Sequence, residues 1–286
     1  TPKRYTMRSN RCGVRLFLFL FFLLLAVGTA WAKITFKDFG ALSDTDISPQ
    51  GKTAFHSEIS SSWYHAESKH FVYHFMSRQE AMEPYIGEAE LYYGWVKEIF
   101  GVVKDSWNKK AHIFVFTKDA AWNKYNERAR TSSESALAFT SGWELFIHHS
   151  SNADMRIKTV SHELTHVLLF RFLDGEPPLF LNEGFSEYVS YRAMLQKRGQ
   201  NNAKIKIIQP IPAAEFIPLG KLHRMTSYPP GKVDVFYVES EALVRFLIRR
   251  WGGDKFYLLL KECARGKAFP QAVEKIYGVS FLTLEQ

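Results

Sequence analysis

Five consecutive residues, His162-Glu163-Leu164-Thr165-His166, carry the chemistry most directly legible in this chain. Side chains four apart on a helix share a face, so both imidazoles can reach one metal ion. Glu163 adjoins the first of them and can hold, and take a proton from, a water at that ion. Two histidines do not complete a site. A structural zinc is closed by four protein ligands, whereas a hydrolytic one takes three and keeps a position for water. On a plain surface helix the same residues would be solvated and inert. A third ligand further along the chain would decide between the two.

The helix that carries them can be capped by Asn152 or Asp154 and runs to about Leu173, with Met155, Ile157, Val160, Leu164, Val167 and Leu168 at helical spacing. Asp174-Gly175 and Pro177-Pro178 stop it. A second helix spans about Leu179 to Lys197. After His166 the first helix has about seven residues left, roughly 10 Å at 1.5 Å each. An equal length of returning helix brings Glu183 level with His166, within Leu181-Asn182-Glu183-Gly184-Phe185-Ser186-Glu187-Tyr188. A carboxylate there completes a His2Glu set with one open position. Glu187, one turn further, is the alternative ligand. We read it instead as an acceptor from the free N–H of a ligand histidine, His162 above all.

The elements around this pair of helices alternate. His70 to Met76 and Lys110 to Phe116 read as strands, Pro84 to Phe100 and Lys118 to Ala129 as helices, and Leu137 to His149 as one or two strands about Ser141-Gly142. Residues 200 to 234, with Pro210, Pro212, Pro218, Pro229 and Pro230, read as mostly irregular. Helices follow over Glu239 to Trp251, Lys255 to Cys263 and Phe269 to Tyr277. This order predicts an α+β fold of residues 63–286, with a βα lobe carrying a mixed sheet (63–173) and a helical lobe (174–286).

The first 32 residues read as an address. Arg8, Arg11 and Arg15 precede the apolar run Leu16 to Val27, and Ala30-Trp31-Ala32 follows. That is the order of a secretory signal peptide with Met7 as its start and cleavage after Ala32. An uncleaved segment would tether the protein to a membrane, but the run of about a dozen residues falls short of the roughly 20 that span one. Residues 33–62, rich in Ser, Asp and Gly, read as a loosely ordered segment. Without the leader the charge balance of 37 basic and 29 acidic residues loses Lys3, Arg4 and the three arginines, giving (37 − 5) − 29 = +3. So small an excess is not a nucleic-acid footprint. Cys12 lies in the leader, so Cys263, among Leu258, Leu259 and Leu260, has no intrachain partner and reads as a buried, inert thiol.

H-E-L-T-H, a short gap, then L-N-E-G-F-S-E-Y resembles the gluzincin metallopeptidases, the thermolysin-and-aminopeptidase superfamily, and is most similar to its small exported peptidase MA-like domains. The resemblance implies a zincin-like fold with its cleft between the two lobes, and one Zn²⁺ per chain. It also implies Glu183 as third ligand and Glu163 as general base. Tyr237-Val238-Glu239-Ser240-Glu241 through Leu247 is similar to the family's Y-E-K-G element, whose tyrosine stabilises the oxyanion, although Val-Glu-Ser replaces Glu-Lys-Gly. Tyr228 and His223 are substitutes for that role. The family's G-x-M-E-N exopeptidase motif is missing, with only a faint echo at Gly142-Trp143-Glu144. The segment from Ser141 to His148, with Ser141, Gly142 and Trp143 as substrate contacts, corresponds to the edge strand that pairs with extended substrate. These features together predict an exported zinc peptidase, periplasmic or secreted, acting on a peptide or protein. An inactive gluzincin-like binding module of the envelope, or a zinc hydrolase of a non-peptide amide or ester, are the other readings.

Overall fold

Strands that are buried at every position need a neighbour on each side and cover on both faces. In the computed structural model, Phe71–Phe75 and Ala111–Phe116 are buried at every residue and lie inside a sheet. The structure describes residues 34–57, 63–79, 82–102, 107–129, 137–173, 175–200, 211–212 and 214–285. The leader reading, with Met7 and the Ala32 junction, falls outside them. Residues 33–286 form one contact unit, and no helix among the described residues is long and apolar enough to cross a membrane.

The elements run α1 (Pro49–Phe55), β1 (Tyr64–Glu67), β2 (Phe71–Phe75), α2 (Glu83–Ile99), β3 (Ala111–Phe116), α3 (Asp119–Ala129), β4 (Ala138–Ser141) and β5 (Glu144–His148). Helices follow: α4 (Ala153–Leu173), α5 (Leu179–Lys197), α6 (Leu219–Leu222), α7 (Val233–Trp251), α8 (Gly253–Ala264), α9 (Phe269–Tyr277) and α10 (Phe281–Glu285). The sheet order is β1-β2-β3-β5-β4, parallel in its two central pairings and antiparallel at both edges. The class is therefore α+β with a mixed five-stranded sheet. The sequence pattern missed β1, which pairs with β2 beside the buried His65.

Alternation along the strands divides the core. Ile113, Val115, Leu145 and Ile147 face the larger apolar cluster, shared with α2, α4 and the later helices. Phe114, Phe116 and Phe146 face the opposite way, onto Trp122 and Tyr125 of α3 and Ala54 of α1. Of residues 34–57, Phe39, Ile47, Ala54 and Phe55 pack onto this second face, whereas Ile34 and Phe36 join the larger cluster. Ser48 caps α1, its Oγ accepting from the N–H of Gln50 and Gly51, and its own N–H donates at 2.6 Å to the buried Glu144. The Lys110 N–H donates to Asp44 at 2.8 Å, tying the same segment to β3. Composition hid this because the anchors are polar. Cys263 is buried, and burial pushes its thiol up to about 12, an inert state.

Candidate metal centre

Asn152 sets the phase of α4, its Oδ1 accepting from the N–H of Asp154 and Met155 at 3.0 and 3.2 Å. With that start, Val160, Leu164, Val167 and Leu168 face the core. The polar residues on the buried side are satisfied locally. Thr165 donates to the Ser161 carbonyl and Ser161 to that of Ile157, both at 2.6 Å. His162, Glu163 and His166 are left facing a cavity of about 530 Å³. α5 returns antiparallel to α4: Asn182 meets His166, Glu187 meets His162, and the Ser190 hydroxyl reaches the Lys158 carbonyl at 3.3 Å.

Glu183 arrives where the helix arithmetic puts it. Its Oε2 lies 3.2 Å from His162 Nε2 and 3.6 Å from His166 Nε2, and the two Nε2 atoms are 3.2 Å apart. One ligand atom from each of the three residues falls within 4.8 Å of the others. Each ligand is also held from behind. His166 Nδ1 meets Asn182 Oδ1 at 2.9 Å and the Ser186 hydroxyl at 3.2 Å. With Nδ1–H donating to Asn182, the lone pair of His166 sits on Nε2, toward Glu183. Glu187 Oε1 lies 3.0 Å from His162 Nδ1, an ion-pair contact whose alignment falls short of a good hydrogen bond. Tyr228 donates to Glu183 Oε1 at 2.7 Å.

These residues fit a cation. Glu183 Oε2 is buried without a hydrogen bond, although the imidazole nitrogens face it. Burial alone would lower the pKa of His162, yet Glu183, Glu187 and Glu163 outweigh it and push that ring up to about 10. A pocket that grips a proton so firmly is electrostatically prepared for a metal ion. Burial raises the Glu163 carboxyl, while the neighbouring His166 and His162 pull it down. Two nitrogens and one carboxylate oxygen suit Zn²⁺.

The other expected residues divide. Tyr237 is on α7 rather than ahead of it, because that helix starts at Val233, and it lines the cavity with its ring 6.1 Å from that of His162. Burial pushes its hydroxyl up to about 12, so it stays protonated. Tyr228 lines the cavity too, but its hydroxyl is engaged by Glu183. His223 is not on that wall; its ring packs against Phe269 and Phe281. Ser141 and Gly142 line the cavity, Gly142 turning the chain out of β4 at φ +59°. Trp143 does not: its indole sits beneath Lys109. Glu144 points to the α1 face and anchors Ser48, which leaves no amine-binding echo at that place.

Sequence reasoning missed Asn182 and Ser186 as supports of His166, although their spacing of four places them on one face of α5. It missed the part of Gly184 as well. A Cβ there would lie 2.4 Å from the Ser240 carbonyl oxygen, so only glycine lets α7 cross α5 beside Glu183. Compared with known proteins, the chain matches no family model and no curated protein.

Proposed function

We propose that this chain is a metal-dependent peptidase, with a zinc ion held by His162, His166 and Glu183 and Glu163 as its proton carrier, in the manner of the gluzincin metallopeptidases that its motifs resemble. The observation that carries this reading is the buried Oε2 of Glu183, without a hydrogen bond and 3.2 and 3.6 Å from the Nε2 atoms of His162 and His166. An ion held there would lower the pKa of a water to about 7 and would polarise a substrate carbonyl.

The protein supplies the rest. Glu163 faces the same cavity, takes the proton of the attacking water and returns it to the departing amine. Tyr237, kept protonated by burial, donates to the oxygen on which negative charge develops, a service typically worth about 3–4 kcal/mol. β4 is an edge strand whose residues Ala138–Ser141 line the cavity, and its unpaired side is the place for an extended peptide to add as a further strand. The cavity would then be the cleft between a βα lobe and a helical lobe. An arginine-flanked apolar leader supports export, to the periplasm or outside the cell.

The test is digestion of a random peptide library by the purified protein, with and without chelator and with zinc restored. Cleavage that disappears with chelator and returns with zinc is expected. No cleavage by zinc-loaded protein, or cleavage indifferent to chelator, overturns the reading.

A further inference from the structure

Glu183 has two oxygens, and they do different things. Oε2 faces the imidazole nitrogens without a hydrogen bond, whereas Oε1 accepts from the Tyr228 hydroxyl at 2.7 Å. A carboxylate with both oxygens free can close on an ion in bidentate fashion, adding a further ligand atom beside the water and crowding the place that hydrolysis needs. We propose that Tyr228 is a positioning residue that occupies Oε1, so that Glu183 offers the ion a single oxygen and a coordination place stays open. This deepens the metal reading and rests on it.

The tyrosine is placed for that task by more than one contact. It lies in the stretch between α6 and α7, where Pro229-Pro230 follow it and bias its backbone toward the extended region. Although 43% exposed, its ring is held from two sides. It meets Phe236, which is fully buried, edge-on at 5.8 Å and stacks on Tyr237 at 5.7 Å. A phenol so clamped can turn toward Glu183 without losing much side-chain entropy. The two tyrosines thus stand side by side with different tasks, Tyr228 holding a ligand oxygen and Tyr237, coupled to it, lining the cavity.

Cobalt(II) reports coordination number through its visible absorption, which is intense at four-coordinate sites and weak at five- or six-coordinate ones. The parent protein, Tyr228→Phe and Tyr237→Phe are each dialysed free of metal, loaded with one cobalt and compared, with circular dichroism to check the fold. Tyr228→Phe should keep its cobalt but lose visible intensity, and with zinc should show roughly 10- to 100-fold lower kcat with little change in KM. Tyr237→Phe should retain the parent spectrum. A Tyr228→Phe spectrum identical to the parent's overturns the inference while leaving the metal reading standing. Equal losses in both variants overturn it too, because the effect would then not be particular to the hydroxyl that Glu183 accepts from. Failure of the parent to take up cobalt removes the metal reading and this inference together.

Discussion

Gly184 of α5 faces the backbone of Ser240 on α7 so closely that a Cβ would sit 2.4 Å from the carbonyl oxygen and 2.6 Å from its carbon. Both atoms are main chain, so neither can swing aside. Gly184→Ala would gain about 1 kcal/mol of helix propensity at most, against an overpacking cost of typically 1–3 kcal/mol or more. The clash wins. Tyr237 lies one turn before Ser240 on the same helix, so moving α7 away also moves the phenol from the cavity. The variant should melt roughly 4–8 °C lower, as a loss of about 2 kcal/mol implies for a domain of this size. A melting temperature equal to or above the parent's would show that the crossing has room for a methyl group after all.

Glu183 and Glu187 are one turn apart and both touch His162, but through different nitrogens. Only Glu183 reaches the side where His166 Nε2 also points. Metal analysis after exhaustive dialysis should therefore find none in Glu183→Ala. Glu187→Ala should still load, with affinity about 10- to 100-fold weaker, as is typical when the partner behind a ligand is lost. Metal lost only from Glu187→Ala would exchange the two roles.

Glu163 is in the cavity and makes no place for itself among the three ligand atoms. Glu163→Gln keeps the shape, so metal content should stay at the parent level. Hydrolysis should fall by about 10²–10⁴, the usual contribution of a positioned general base. Burial opposes the Glu163 charge, so the amide should leave the melting temperature no lower. Full peptidase activity in this variant would remove Glu163 from the mechanism.

The parts that short-range rules govern were legible in the sequence. Helical spacing fixed the face shared by His162 and His166, and 1.5 Å of rise per residue carried Glu183 back to them through the Gly-Pro turn. The apolar run of β3, interrupted only by His112, announced an interior strand. The features that stayed hidden depend on contacts between segments distant in sequence. Ser48 reaches Glu144 across 96 positions, and Tyr228 reaches Glu183 across 45. No local period encodes either. The start of α7 was placed too late because Val233 to Val238 comes after two prolines and has no side-chain cap to mark it.

Three histidines stand in a row beneath residues 34–57, and they set an acid limit on the fold. His65 Nδ1 meets His74 Nδ1 at 2.8 Å, and His74 Nε2 meets His112 Nδ1 at 3.0 Å, all three rings being buried. Phe39 and Phe55 cover His65 and His74, and Asp44 approaches His112 Nε2 at 3.8 Å. Each bridge holds one proton, so the row is consistent with three neutral rings. Burial lowers the pKa of His65, lowers that of His74 strongly, and takes His112 down to about 4, with Asp44 opposing part of that last shift. In the unfolded chain these rings titrate near 6.5, so between about pH 6.5 and 4 the unfolded state binds more protons. Stability is thus fully present above about pH 6.5 and is lost as the pH falls toward 4, with roughly 3 kcal/mol at stake from His112 alone. The buried Glu88 and Glu144, whose pKa values are raised by burial, work the other way, so the slope must be read as a difference between proteins. Urea unfolding at pH 7, 6 and 5, with chelator present throughout, should show a steeper loss for the parent than for His112→Gln, which cannot take up the proton. Parallel slopes would mean that the row stays neutral in acid by some other route, or opens before it titrates.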